Sequence, residues 1–235
     1  MDVVWSGLLE SLRKLLSGDP NLWEIILLSG KVSGIALLFS ALIGIPLGAL
    51  IGLTHFPGRR LVQALVYTGM GFPPVVVGLA VYLMLSRNGI LAPLDWDWIP
   101  QLFTVPAMIV AQVIIAVPLV IGYTMAAVSD VDRNLRLQLR ALGATPRQAT
   151  WTVLQEARQG VIVALVGGLG SIISEVGAVN MIGGNIEHST RVLTTAIMLE
   201  TRRGNLDFAI GLGVVLMGLA FLINLTVAQF QRKGR

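Results

Sequence analysis

Four long segments of this 235-residue chain contain no Asp, Glu, Lys or Arg, namely residues 32–54, 61–86, 99–129 and 208–231. A helix needs roughly 20 apolar residues to cross the hydrocarbon core of a bilayer, and each segment is long enough. A fifth segment, residues 159–186, is interrupted only by Glu175. Because a chain inside lipid must satisfy its own backbone hydrogen bonds, these segments predict an all-α polytopic membrane protein.

Five core spans are predicted, at residues 22–54, 61–86, 101–128, 159–182 and 206–230. Charged residues make up only 13% of the chain, whereas a soluble domain carries about 25%. The apolar segments are continuous and lack the alternation of outer-membrane barrel strands. Residues 1–20 do not have the pattern of a signal peptide. Since the chain has no cysteine, we expect no disulfide and no thiolate chemistry.

Residues 1–20 form a separate predicted element, and residues 21–235 form the membrane domain. Residues 3–17 have the spacing of an amphipathic helix, with an apolar face made of Trp5, Leu8, Leu9, Leu12, Leu15 and Leu16. This helix is too short and too charged to cross a bilayer. Two placements remain open for it: the membrane interface, or the surface of another span of the same chain.

The distribution of charge predicts the orientation of the chain. One face holds three acidic residues and ten basic ones, the latter being Arg59, Arg60, Arg133, Arg136, Arg140, Arg147, Arg158, Arg232, Lys233 and Arg235. The opposite face holds seven basic and nine acidic residues. Because basic residues are enriched on the cytoplasmic side of membrane proteins, we expect the N-terminus outside, the C-terminus inside and residues 129–158 in the cytoplasm.

The cytoplasmic segment has the capping signals of two helices. Ser129 or Asp130 can cap the first helix, which is predicted to run to Leu142. Gly143 follows at the position where glycine commonly ends a helix. This helix carries one basic stripe with i, i+3, i+7 spacing, formed by Arg133, Arg136 and Arg140.

The second helix is predicted to start after Thr145, with Pro146 at its first position and Gln148 completing a capping box. Two capped helices separated by a glycine favour the docking of a partner protein. The alternative is a solvated loop whose arginines contact anionic lipid head groups.

The sequence offers no enzyme active site. It contains no nucleotide-binding P-loop, no metal-ligand cluster and no Ser/His/Asp set, and its two histidines, His55 and His188, lie on opposite predicted faces. We therefore predict no catalytic and no metal-binding residues, and expect that this chain cannot hydrolyse ATP unaided.

Several segments resemble the permease subunits of ABC importers. In that family a cytoplasmic helix pair with a central glycine precedes the penultimate core span, as ALGATPRQA does here at residues 141–149. GMGFPPVVVGLAVYLMLSRNG at 69–89, VLQEAR at 153–158 and SEVGAVNMIGGNIEHSTRVLTTAI at 174–197 are similar to tungstate permeases, relatives of the molybdate and sulfate permeases. The chain departs from the family signature where Leu137, Gln138 and Leu139 replace Glu-Ala-Ala.

The resemblance implies a type I ABC importer transmembrane fold with five core spans, preceded here by the N-terminal amphipathic helix. It implies a homodimer in a prokaryotic cytoplasmic membrane, two ATPase subunits that bind ATP and Mg²⁺, an extracytoplasmic substrate-binding protein and no nucleic acid. The expected ATPase-coupling residues are Arg133, Arg136, Arg140, Ala141, Leu142, Gly143, Ala144, Thr145 and Pro146.

Glu175 is the one carboxylate within a predicted span, and charge at that depth marks a functional candidate. Three roles are open: lining the pathway, pairing with a buried cation, or capping irregular backbone. An anionic substrate would be repelled by a bare carboxylate, so a gate or hinge is favoured. The predicted pathway or gate set is Phe72, Pro73, Pro74, Ser171, Ser174, Glu175, Gly177, Gly183, Gly184 and Asn185.

Two pairs of residues in this set, one of prolines and one of glycines, are expected to interrupt the helical backbone. Pro73 and Pro74 remove hydrogen bonds and predict a kink in the second span. Gly183 and Gly184 predict a helix break, since each glycine weakens a helix by about 1 kcal/mol. Close helix packing is the competing explanation for the glycines. Residues 187–205 are too polar to span, and we expect a short re-entrant or interfacial helix there.

The predicted function is therefore the permease of an ATP-driven importer for an oxyanion, foremost tungstate. Molybdate, sulfate, phosphate or another small solute is the alternative substrate. A secondary transporter is the alternative from another class, although it should show inverted repeats and ion-coordinating residues at the midplane. A membrane scaffold would need neither a gated pathway nor docking helices.

Overall fold

The computed structural model describes residues 17–94 and 96–232, without the side chains of Arg133, Arg140, 226–228 and 230–232. Within these ranges the chain forms ten α-helices and no strand: α1 (Pro20–Leu53), α2 (Arg59–Met70), α3 (Pro74–Leu85), α4 (Val105–Ser129), α5 (Arg133–Ala141), α6 (Pro146–Glu156), α7 (Arg158–Ser174), α8 (Gly177–Gly183), α9 (Leu193–Arg202) and α10 (Leu206–Arg232). The predicted amphipathic helix at 3–17 lies outside the described residues, except for Ser17.

Three helices, α1, α4 and α10, are long and apolar enough to cross a membrane. Two bent pairs raise the possible number of spans to five, and these are α2–α3, bent by 97°, and α6–α7, bent by 70°. The all-helical polytopic architecture predicted from the charge-free segments is therefore confirmed for the described part of the chain.

The centre of the fold is the contact between α1 and α4. Glycines on α1 meet larger residues of α4 in the pairs Gly44–Val120, Gly48–Thr124 and Gly52–Val128. Because both members of the pairs advance by four residues, the two helices run in the same direction. A β-carbon added at Gly48 would lie 2.7 Å from the carbonyl oxygen of Ile121, so only glycine permits this backbone approach.

The second predicted span is broken rather than continuous. α2 ends at Met70 and α3 begins at Pro74, with the two helices bent by 97°. The predicted proline kink is confirmed, but a single helix over 61–86 is wrong. Neither Pro73 nor Pro74 has an N–H to donate, which removes two consecutive hydrogen bonds from the ladder.

The fourth predicted span, 159–182, is also divided. α7 ends at Ser174, and α8 begins at Gly177 after a two-residue break that we did not predict. The predicted glycine break is confirmed, since α8 ends at Gly183 and Gly184 adopts a left-handed φ of 71°. The polar segment that follows contains the expected short helix, α9.

The two predicted helices of the 129–158 segment are present as α5 and α6. Gly143 has a φ of 80° as the predicted helix-ending glycine. The capping box is confirmed, because the Thr145 hydroxyl accepts the Gln148 N–H at 3.3 Å and the Gln148 side chain accepts the Thr145 N–H at 2.8 Å. The predicted start at Ser129 or Asp130 is wrong. α4 runs to Ser129, and the carboxylate of Asp132 accepts an N–H of the first turn of α5.

A substitution on the α1 glycine face tests the importance of this contact. We expect Gly48→Ala to lower stability by about 1–3 kcal/mol, because the added methyl group overpacks the α1–α4 interface. Gly34→Ala is the matched control, since no atom lies within 4 Å of a β-carbon built at Gly34. Thermal unfolding of the purified proteins measures both effects, and equal melting temperatures for the two variants would contradict the packing argument.

Candidate functional site

The break between α7 and α8 is built around Glu175. Its backbone is extended, with φ −72° and ψ 126°, so the helix cannot continue through it. Its carboxylate folds back and accepts the N–H of Ala178 at 2.8 Å, while the residue is only 8% exposed. The structure thus gives Glu175 the third of its three open roles, the capping of irregular backbone.

This capping also accounts for the buried charge. The first N–H groups of a helix have no partner within it and carry a partial positive charge, which a carboxylate stabilises. None of the ion pairs between described residues involves Glu175. Its carboxylate is therefore stabilised by the start of α8, with one oxygen engaged in the hydrogen bond from Ala178.

Two threonines and an asparagine hold α8 to the segment that contains α9. The Thr194 hydroxyl donates to the Glu175 carbonyl at 2.9 Å, and the Thr190 hydroxyl donates to the Gly183 carbonyl. Asn185 donates from its side-chain amide to a backbone carbonyl of α9 at 3.3 Å. Both ends of α8 are thereby fixed by hydrogen bonds, which makes the Glu175 break a defined bend.

Sequence reasoning identified Asn185 but missed Thr190 and Thr194. The available signal was the polar run HSTRVLTT, residues 188–195, directly after the paired glycines. Hydroxyl groups in such a run are suited to bond backbone carbonyls that a broken helix leaves without partners.

The predicted pathway glycines pack against other helices. A β-carbon at Gly177 would lie 2.7 Å from the Val75 side chain, and one at Gly183 would lie 2.7 Å from the sulfur of Met108. Close packing thus explains both residues. The same contacts bring the start of α3, next to Pro74, against the start of α8 next to Glu175. The two predicted gate elements are therefore in contact.

The remaining pathway candidates do not converge on one point. Phe72 is 56% exposed. Ser174 is exposed and its hydroxyl donates to the Gly170 carbonyl of its own helix at 2.8 Å. Ser171 is half-buried on the same helix. The ten residues therefore do not form one ligand-binding shell in this structure. α3 and α8 contact each other, and a gate or hinge there stays a prediction.

The α5–α6 pair presents an apolar tip. Gly143 lies in the turn between α5 and α6, which we call the elbow. Leu142, next to Gly143, is 84% exposed, and Leu137 and Trp151 are 57% and 64% exposed. Sequence reasoning included Leu142 among the coupling residues but missed Leu137 and Trp151. Large apolar side chains left exposed in this way are candidates for docking a partner.

Arg136 connects this pair to the membrane helices. Its guanidinium donates to the Val128 carbonyl in the last turn of α4 at 2.8 Å. It therefore ties α5 to the end of α4, while its predicted contact with the ATPase stays a prediction. A cluster formed by Ala49, Val128, Val153 and Ala157 joins the same turn of α4 to α1 and α6. Any displacement of α6 is consequently transmitted to both α1 and α4.

A polar cluster links the other end of α1 to the loop before α9. His188 lies 2.7 Å from the carboxylate of Glu24, and the hydrogen bond and negative charge of Glu24 raise the pKa of His188. Arg191 pairs with Glu187 at 3.2 Å on the same loop. Because the His188 pKa is raised, the Glu24–His188 pair is fully formed at acidic pH and weakens as the pH rises through that pKa.

Comparison with known proteins gives this arrangement a family. Residues 44–233 match the family of binding-protein-dependent transport system inner membrane components. A probable anion ABC transporter permease of Haloferax volcanii is 40% identical over 231 residues, covering 93% of this chain and 97% of that protein. The tungstate uptake system permease TupB of Peptoclostridium acidaminophilum is 35% identical over 233 residues, covering 99% of this chain and 100% of that protein.

The fold has also been seen in a solved structure. The permease in the crystal structure of a bacterial alginate ABC transporter, in complex with a pentasaccharide-bound periplasmic protein, superposes with a TM-score of 0.74 at 24% identity. The match covers 91% of this chain and 79% of that chain. The chain therefore belongs to the inner-membrane components of binding-protein-dependent transport systems, as the non-enzymatic permease subunit of an ABC importer.

Proposed function

We propose that this permease imports an oxyanion, foremost tungstate, across a prokaryotic cytoplasmic membrane. The observation that carries this substrate class is the similarity, over nearly the full length of both chains, to an anion permease and a tungstate permease. Molybdate, sulfate and phosphate remain the alternative substrates. A secondary transporter is no longer supported, because the chain belongs to an ABC importer family.

In the proposed assembly, two copies of this chain form the pathway and two ATPase subunits bind ATP and Mg²⁺ on the cytoplasmic side. A substrate-binding protein docks on the opposite side. The excess of basic residues near 55–60, 129–158 and 232–235 favours placing that face in the cytoplasm. The N-terminus is then outside and the C-terminus inside.

The coupling step follows from the contacts of the α5–α6 pair. The apolar tip around Leu142 docks on the ATPase, together with the predicted coupling residues from Arg133 to Pro146. When the ATPase subunits close, the pair moves as a rigid body. The Arg136–Val128 hydrogen bond and the packing of Val153 against the same turn pass that movement to α4 and α1.

The hinge at Glu175 responds to this movement. α4 packs against α7 and α8, and α8 packs against α3. A shift of α4 therefore changes the angle at the α7–α8 break, and α3 moves with α8. We assign Glu175 to this bend rather than to substrate binding, since its carboxylate is engaged in capping α8.

Reconstitution tests the proposed function. The chain is co-expressed with its ATPase, placed in proteoliposomes and combined with candidate oxyanion-binding proteins. We expect ATP hydrolysis and uptake that depend on tungstate or a related oxyanion together with its binding protein. Uptake driven by a proton or sodium gradient without the ATPase, or stimulation by a cationic solute alone, would overturn the proposal.

Loss of the charge on Glu175 tests the hinge. A charge-assisted hydrogen bond is about twice as strong as a neutral one, so Glu175→Gln weakens the α8 cap without changing its shape. We expect the complex to assemble normally while uptake per ATP hydrolysed falls several-fold. Glu187→Gln is the control, because Glu187 is an exposed acid outside the hinge. The hinge assignment fails if both variants transport like the wild type.

A charge at the elbow tip tests docking. We expect Leu142→Glu to weaken ATPase binding by about 30-fold or more, since placing a charge in a buried anchor position costs about 2 kcal/mol or more. Ile90→Glu is a matched control, with an 82% exposed residue against 84% for Leu142, on the predicted opposite face. The amount of ATPase that co-purifies with each permease variant in detergent measures the strength of binding. Equal recovery with the two variants would show that Leu142 is not a docking residue.

A further inference from the structure

An apolar crevice opens between α1, α7 and α10, on the side of α7 that faces α1 and next to the end of α7 that precedes Glu175. Its volume is about 470 Å³. The lining side chains are mainly aliphatic and include Leu37, Leu169, Ile173, Leu216, Leu219 and Ile223. Two glycines of α1, Gly30 and Gly34, leave the floor of the crevice open, with no atom within 4 Å of a β-carbon built at either.

The crevice continues along the α7–α10 boundary. A second cavity of about 170 Å³ shares Leu169, Ile173, Leu216 and Ile223 with the first and extends it toward Asn224. The two cavities share these side chains and together form one apolar trough. Its mainly aliphatic lining suits a hydrocarbon chain better than a polar solute.

A cation lies at one end of this trough. Lys31 lines the crevice, is exposed, and takes part in none of the ion pairs between described residues. It is also the last charged residue before the charge-free part of α1 begins at residue 32. Lys31 is therefore placed where a lysine reaches the phosphate layer of a bilayer while its stem covers apolar surface.

A buried polar group is directed into the same crevice. Gln112 is 3% exposed and donates from its amide nitrogen to the Ile172 carbonyl at 3.4 Å. Its carbonyl oxygen has no hydrogen-bond partner. Flipping the amide would place two carbonyl oxygens against each other, so this oxygen remains the free acceptor. A buried acceptor without a protein partner is costly, so a donor such as a bridging water is expected to reach this end of the crevice.

The depths of the two groups match one type of ligand. Gly44 of α1 lies opposite Val120 of α4, and the two helices run in the same direction. Eight residues earlier on each helix, Gln112 of α4 is therefore level with Ala36 of α1, which lies five residues deeper than Lys31. At 1.5 Å per residue, Gln112 lies about 7–8 Å deeper than Lys31. In a phospholipid, the oxygens that link the chains to glycerol lie a few ångströms below the phosphate.

We propose that this crevice is a binding site for one anionic phospholipid. The phosphate pairs with Lys31, and one hydrocarbon chain fills the trough between α7 and α10. The linking oxygens can only accept hydrogen bonds, so one water donates to them and to the carbonyl oxygen of Gln112. The bound lipid thereby holds α10 against α1 and α7.

Native mass spectrometry of the full chain with its ATPase tests this site. The complex is equilibrated with equal amounts of phosphatidylglycerol and phosphatidylcholine that carry the same chains. At one retained lipid per permease, we expect phosphatidylglycerol to be favoured about fivefold, the effect of one lysine at a membrane surface. Lys31→Gln should bring the two lipids to parity, whereas Lys31→Arg should keep the preference.

Filling the crevice tests the trough. Gly34→Leu should remove the retained lipid and leave the fold intact, since its side chain enters open space. Gly213→Leu is the control, because Gly213 also has no atom within 4 Å of a built β-carbon and does not line the crevice. Equal retention of both lipids by the wild type, or wild-type retention by Gly34→Leu, overturns the proposal. So does a Gly34→Leu variant that keeps its lipid but separates the permease into monomers, because a second copy would then occupy the crevice.

Discussion

The structure depends on the close approach of two parallel helices, α1 and α4. Glycines at every fourth position of α1 let the backbones come together where any larger residue would meet a carbonyl oxygen or a side chain of α4. Lipid tails are as apolar as the helices, so van der Waals contact of this kind supplies much of the association energy inside a membrane. With α4 fixed on α1, four further helices, α2, α3, α7 and α8, also pack against α4.

Much of this fold could be predicted from the sequence, because its strongest signals are local. Runs without charge define membrane helices, and the Thr145–Gln148 capping box and Gly143 define the elbow, since each acts within a few residues. The size of the α2–α3 bend could not be predicted. Prolines remove hydrogen bonds, but they do not determine an angle of 97°, and the close approach of Gly78 in α3 to Ala178 in α8 joins residues 100 positions apart. The predicted start of α5 was wrong because the backbone N–H of Asp130 still belongs to the hydrogen-bond ladder of α4. The carboxylate of Asp132 therefore caps α5 instead.

The site was predictable to a similar degree. The cost of burying a charge singled out Glu175, but its role depends on the break that it caps and on Thr194, 19 residues along the chain. A single sequence does not pair such distant residues. The basic stripe of α5 was identified for the same electrostatic reason, yet Arg136 turned inward to a helix-end carbonyl. A free carbonyl in the last turn of a helix can also accept a hydrogen bond from a guanidinium, so a basic stripe alone does not identify contacts with another protein.

The length of α1 has a consequence for how the protein fits different bilayers. Its charge-free part, residues 32–53, is about 33 Å long and matches a hydrocarbon core of about 30 Å. The remaining 12 residues, 20–31, add about 18 Å of helix on the side of Lys31. In a thicker bilayer, part of residues 20–31 would therefore enter the hydrocarbon core as a continuation of α1, and Lys31 is the charged side chain that would have to move. The Glu24–His188 pair, about 10 Å above that lysine, would stay in water in either case.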